Sequence, residues 1–151
     1  KQKLENMNDL ILQNLEVGRL DKRLETRPLA AAAKTAGAYL ITIADVHNGI
    51  IRMDPAAARD FTLPTAALAV AGSPGAEIGD SIDFHIINLG SVGVDETITV
   101  VTATGATLIG FMGVENPAAT HDAFSIGSSM FRLQFTNVTA DAEAYDLIRL
   151  A

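Results

Sequence analysis

The chain of 151 residues contains no cysteine. That excludes a disulfide scaffold, a thiol nucleophile, a CxxC redox site and any zinc site built on cysteine. A compact chain of this size removes roughly 70% of its unfolded surface from water, so a core needs no covalent staple. Tryptophan is also absent, and the two tyrosines, Tyr39 and Tyr145, fall inside candidate strands. The aromatic platforms on which sugar sites rest are therefore not in view. Charged residues make up only 19% of the chain, and its longest apolar stretch, Leu63 to Gly72, is broken by Pro64. That stretch falls short of the roughly 18 residues a membrane span needs. No basic segment followed by an apolar one opens the sequence, so a soluble chain without a secretory leader is expected.

Hydrophobic residues reach 48%, with Ala, Val, Ile, Leu and Thr dominant, a strand-leaning globular composition. The net charge of −7 is unevenly spread. Residues 1–27 hold six basic side chains against five acidic ones, +1, which leaves −8 on the other 124 residues. An acidic body repels phosphate backbones, and no basic run with interleaved aromatics offsets this, so nucleic acid is not an expected partner.

The chain changes character near Pro28. Residues 3–25 lack proline, and Leu4, Met7 and Ile11 are spaced three and four apart, while Leu10, Val17, Leu20 and Leu24, spaced seven, three and four apart, form a second helical register. This spacing predicts helix, with a possible break at Gly18. Such a stripe needs either the body of its own chain or identical stripes on neighbouring subunits. Arg27-Pro28 closes the segment, because the residue before proline is pushed out of helical geometry. Residues 1–27 are thus expected to form a helical or extended arm, and residues 28–38 a linker.

From Tyr39 onward the period shifts to two, and turn residues recur every eight to twelve positions. The candidate strands are Tyr39–Ala44, Gly49–Met53, Ser81–Leu89, Thr97–Ala103, Thr107–Phe111, Ser129–Thr136 and Ala144–Leu150. In the third, Ile82, Phe84 and Ile86 alternate with Ser81, Asp83 and His85; in the sixth, Phe131, Leu133 and Phe135 alternate with Met130, Arg132 and Gln134. One face of each is expected in a core and the other in water. Pro64-Thr65 followed by Ala66–Ala71 and Gly72 predicts a short helix plugging one end. The expected fold is all-β: a two-sheet sandwich of jelly-roll topology over residues 39–151.

Catalytic signatures are lacking. His47, His85 and His121 lie 38 and 36 residues apart, with no HExxH or HxH pattern, and the acidic residues form no calcium loop. No metal or cofactor is expected. Gly79-Asp80-Ser81 superficially resembles the nucleophile block of the GDSL hydrolases, but Ser81 opens an alternating strand and no histidine follows His121. The triad cannot be completed, and the tripeptide is expected to be a turn. Neither a dinucleotide fingerprint nor a P-loop is present. The chain is not expected to be an enzyme.

Several stretches resemble small virion proteins of tailed bacteriophages, the head decoration or cement proteins. They are Gly49-Ile-Ile-Arg-Met-Asp, Thr62-Leu-Pro-Thr-Ala-Ala-Leu, Gly79-Asp-Ser-Ile-Asp-Phe with Asn88, Phe135-Thr-Asn-Val-Thr and Tyr145-Asp-Leu-Ile-Arg-Leu. The resemblance implies a structural subunit, made in the host cytoplasm, that forms a homotrimer on the outer capsid surface and bridges neighbouring major capsid proteins. It further implies an arm that engages the shell or a neighbouring subunit through Leu4, Met7, Leu10, Ile11, Leu15 and Leu20. Arg19, Lys22, Arg23 and Arg27 would meet an acidic shell. The alternative is a trimeric tail-fibre, spike or head-fibre module that binds a host-surface glycan.

Overall fold

A computed structural model describes residues 32–34, 38–55, 57–90, 96–115 and 127–151. The strands are β1 (Ala32–Lys34), β2 (Tyr39–Leu40), β3 (Ile50–Met53), β4 (Arg59–Thr62), β5 (Ser81–Asn88), β6 (Ile98–Val101), β7 (Ala106–Ile109), β8 (Gly113–Val114), β9 (Ser128–Asn137) and β10 (Ala144–Arg149). Among the described residues two short helices, α1 (Ile43–Asn48) and α2 (Ala66–Ala71), interrupt them. A six-stranded sheet in the order β1-β3-β5-β9-β10-β7 packs on a four-stranded one in the order β2-β4-β6-β8. The all-β, two-sheet sandwich follows from the alternation. Phe84, Ile86, Phe131, Leu133, Phe135, Tyr145 and Leu147 are buried from the larger sheet, and Phe61, Ile98, Val100 and Val114 from the smaller. Phe84 and Phe131, paired across β5 and β9, stack at 5.8 Å.

Strand direction departs from a jelly roll, whose neighbours run antiparallel. Among the described residues five of the eight pairings are parallel. From β1 to β6 the chain alternates between sheets, laying β1, β3 and β5 side by side in one and β2, β4 and β6 side by side in the other. It winds as a coil. Each return to the same sheet passes through the opposite one, which supplies the long crossover that parallel neighbours require. Only then do β9, between β5 and β10, and β8, beside β6, enter antiparallel. In the larger sheet every strand but β9 runs the same way.

Two expected elements change. Tyr39–Ala44 is a strand only at Tyr39–Leu40, because Thr42 caps α1. The Asp45 carboxylate accepts from the Thr42 backbone N–H at 3.0 Å, the Thr42 hydroxyl at 2.7 Å and the Tyr39 hydroxyl at 2.6 Å. This capping box outcompetes the β-branched propensity of Ile41, Thr42 and Ile43. Asn48-Gly49 ends α1, with Gly49 left-handed at φ 78°. Strands β4 and β8 are additions, and β1 lies within the span read as linker. Helix α2 forms as expected between Thr65 and Gly72.

Helix α2 docks at the end of the sandwich where β7 and β10 begin, here termed the base. The Tyr145 hydroxyl, fully buried, donates to the Pro64 carbonyl at 2.7 Å and ties β10 to the start of α2. Burial pushes the phenol well above its ordinary range. The folded chain therefore keeps this proton at a pH where the unfolded chain has released it. The contribution is intact below about pH 10 and is lost as pH rises further, by up to about 1.4 kcal/mol per pH unit. Tyr145→Phe is expected to cost about 1–3 kcal/mol at pH 8, since it orphans the Pro64 carbonyl. It should also flatten the alkaline decline in stability. Urea unfolding between pH 8 and 11 measures both, and an unchanged alkaline slope would assign the decline to another group.

Candidate interaction surface

Opposite the base lies a rim where β3, β5, β7 and β10 end. Asn88, the last residue of β5, is 1% exposed and joins the two sheets there. Its Nδ2 donates to the carbonyls of Glu96 at 2.6 Å and Val114 at 3.0 Å, and its Oδ1 accepts from Gly90 N–H at 2.9 Å. The Asn88 backbone N–H donates to the Gly127 carbonyl at 2.6 Å. One residue, through its side-chain amide and its backbone N–H, thus fixes the end of β5, the approach to β6, strand β8 and the approach to β9.

Arg149 makes a second tie. It continues the inward phase of Tyr145 and Leu147 on β10, and its Nη1 donates to the carbonyls of Phe111 at 3.0 Å and Gly113 at 2.6 Å. Its guanidinium carbon lies 5.3 Å from the Phe111 ring centroid. The ring needs Gly113 beneath it: a Cβ there would lie 2.6 Å from the ring's Cζ. Phe111 is nonetheless 65% exposed. It is an aromatic side chain held in place at low entropic cost and left uncovered, the property of an interface anchor. Ile109 and Leu150, each 43% exposed, flank it, and Leu89 is also exposed at this rim. Beyond β7 the larger sheet has no further strand among the described residues. An uncovered apolar edge of this kind is a ready site for association.

The arm positions Leu4, Met7, Leu10, Ile11, Leu15, Arg19, Leu20, Lys22, Arg23 and Arg27 lie outside the described residues, as does His121. His85 is exposed on the outer face of β5, and His47 Nε2 on α1 lies 3.0 Å from Ser73 Oγ. Gly79-Asp80-Ser81 is a turn: Gly79 has φ 95°, the Asp80 carboxylate accepts from Glu77 N–H at 2.9 Å, and Ser81 opens β5. Among the described residues no group of three or more His, Asp or Glu is placed to hold a metal ion, and no helix is long and apolar enough to cross a membrane. Phe111 and Arg149 are the surface features that sequence reading passed over. Their signal is slight: an arginine amid Leu147, Ile148 and Leu150, and an aromatic one residue past a left-handed glycine, Gly110.

Comparison of the chain with family models, with curated proteins and with solved structures returns no match.

Proposed function

We propose that this chain is a structural, non-catalytic virion protein that binds the outer surface of a tailed-bacteriophage head as a homotrimer and bridges neighbouring major capsid proteins. The observation that carries this reading is where the stretches of resemblance fall. Thr62–Leu68 and Tyr145–Leu150 are far apart in sequence, yet they meet at the hydrogen bond between Tyr145 and Pro64. Gly79–Phe84 forms the turn into β5 and Asn88 the staple between the sheets. The resemblance thus lies in the joints of a scaffold, as suits a subunit whose work is to bind and hold. The exposed Phe111 corner offers such a scaffold a contact. A clamp that binds only the assembled shell stabilises that shell by mass action.

Purified protein mixed with expanded heads lacking decoration is expected to co-sediment saturably and to raise the temperature at which the heads burst. Phe111→Asp should weaken capture by about tenfold or more, the scale of a lost anchor. Deleting residues 1–27 should leave the sandwich folded and abolish capture. Heads that neither retain the protein nor gain thermal resistance would overturn the reading.

A further inference from the structure

Arg132, on the outer face of the larger sheet, has a carboxylate partner in Asp83 at 2.7 Å. Arg149 has none among the described residues. Its Nη1 is held by the Phe111 and Gly113 carbonyls, which fixes the guanidinium in place. A guanidinium also donates from Nε and Nη2. On Arg149 these donors have no partner among the described residues, and both reach the surface. The corner thus carries a positioned, uncompensated positive charge beside the exposed Phe111 ring.

The neighbouring sheet edge is open as well. Tyr145 N–H donates to the Gly105 carbonyl, and Tyr145 is in register with Ala106. In a parallel ladder alternate residues bond the same neighbour, so residues 105, 107 and 109 face β10 while Ala106 and Leu108 turn their N–H and C=O outward. Ala106 is satisfied locally: its N–H donates to the Ala103 carbonyl and its carbonyl accepts from the Thr102 hydroxyl. Leu108 has no such partner among the described residues. Nothing in Ala106–Ile109 closes this edge, since the strand holds no charge, proline or bulge. Gly110 follows, in line with Arg149, and a Cβ there would lie 3.3 Å from the Arg149 Cβ. A side chain laid beside Gly110 from outside therefore approaches the guanidinium.

We propose that the open edge of β7 takes an extended acidic segment of a partner protein as an added strand, with a carboxylate of that segment on the Nε–Nη2 side of Arg149. A carboxylate is the group that a guanidinium edge binds bidentately. A strand supplies the backbone partners that Leu108 lacks. Apolar neighbours of the carboxylate cover Phe111 and Ile109, which are 65% and 43% exposed. The inference rests on the capsid reading for the source of the segment, there the major capsid protein, and on the corner alone for its chemistry.

The probe is a capped hexapeptide of alternating threonine and valine with one central aspartate, titrated into the full isotope-labelled chain and followed by NMR. Saturable shifts are expected at the Leu108 and Gly110 amides and at the Arg149 Nε–H. The asparagine version of the peptide should bind about tenfold more weakly, and the lysine version more weakly still. Phe111→Ala should also weaken binding by about tenfold while leaving the fold intact, because Arg149 keeps the backbone carbonyl at that position. Equal binding of the three peptides, or shifts that spare Leu108 and Gly110, would overturn the proposal. So would shifts at these amides that grow with protein concentration in the absence of peptide, which would make the occupant a second copy. Heads take no part in this experiment. Capture by heads without peptide binding strikes this contact alone, and peptide binding without capture by heads strikes the capsid reading alone.

Discussion

Asn88→Leu is expected to lower the unfolding free energy by about 3 kcal/mol or more. The substitution preserves bulk at a 1% exposed site but orphans the carbonyls of Glu96 and Val114 and the N–H of Gly90. Each buried unsatisfied group costs about 1–3 kcal/mol. Asn88→Asp should fail similarly, because it removes both donated hydrogen bonds and adds a charge where none is wanted. Urea denaturation gives the loss directly. Native-state hydrogen exchange should show the rim, around Gly90, Glu96 and Gly127, opening before the base. A loss below about 1 kcal/mol would mean that water reaches these carbonyls, and that the sheets are joined at the rim mainly by packing.

The contrast between Asn88 and Phe84 shows what a sequence discloses. Phe84 and its neighbours announce themselves by period, since a strand with one wet face must alternate: Phe84, Ile86, Phe131, Leu133 and Phe135 are buried as the alternation predicts, and Ile82 is partly so. Asn88 continues the inward phase of Phe84 and Ile86, but its partners are backbone carbonyls 8 and 26 residues away, which no local pattern encodes. Strand direction is hidden for the same reason. A period of two is identical in parallel and antiparallel strands, so only the connections carry the topology, and Asn48-Gly49 serves a helix end as readily as a hairpin. Strands β2 and β8, each of two residues, are too short for any periodicity. At the candidate surface, Ile109 and Phe111 fall within the expected strand Thr107–Phe111, with no phase assigned to either. The exposure of Phe111 depends on Gly113 and Arg149 and on how β7, β8 and β10 converge, which is a tertiary property.

The base should be as sensitive as the rim, at a residue with no side chain. Gly105, with φ 80°, turns the chain from β6 into β7, and its carbonyl accepts from Tyr145 N–H at 3.0 Å. A Cβ there would lie 2.6 Å from the Ala66 Cβ and 2.7 Å from the Glu143 carbonyl oxygen. Neither neighbour can rotate away, because one belongs to the first turn of α2 and the other is backbone at the start of β10. Gly105→Ala is therefore expected to cost about 3 kcal/mol: about 1–2 for the left-handed conformation, and the rest for displacing α2 from its seat. Gly75→Ala isolates the first component, since Gly75 has a closely similar φ of 78° and nothing within 4 Å of its added Cβ. It should cost only that component, about 1–2 kcal/mol. Equal losses in the two variants would show that α2 yields readily, and that the hydrogen bond from Tyr145 to Pro64 tolerates its movement. A larger loss at Gly105, with Tyr145 becoming easier to ionise, would show that the packing of α2 on the turn keeps the phenol dry.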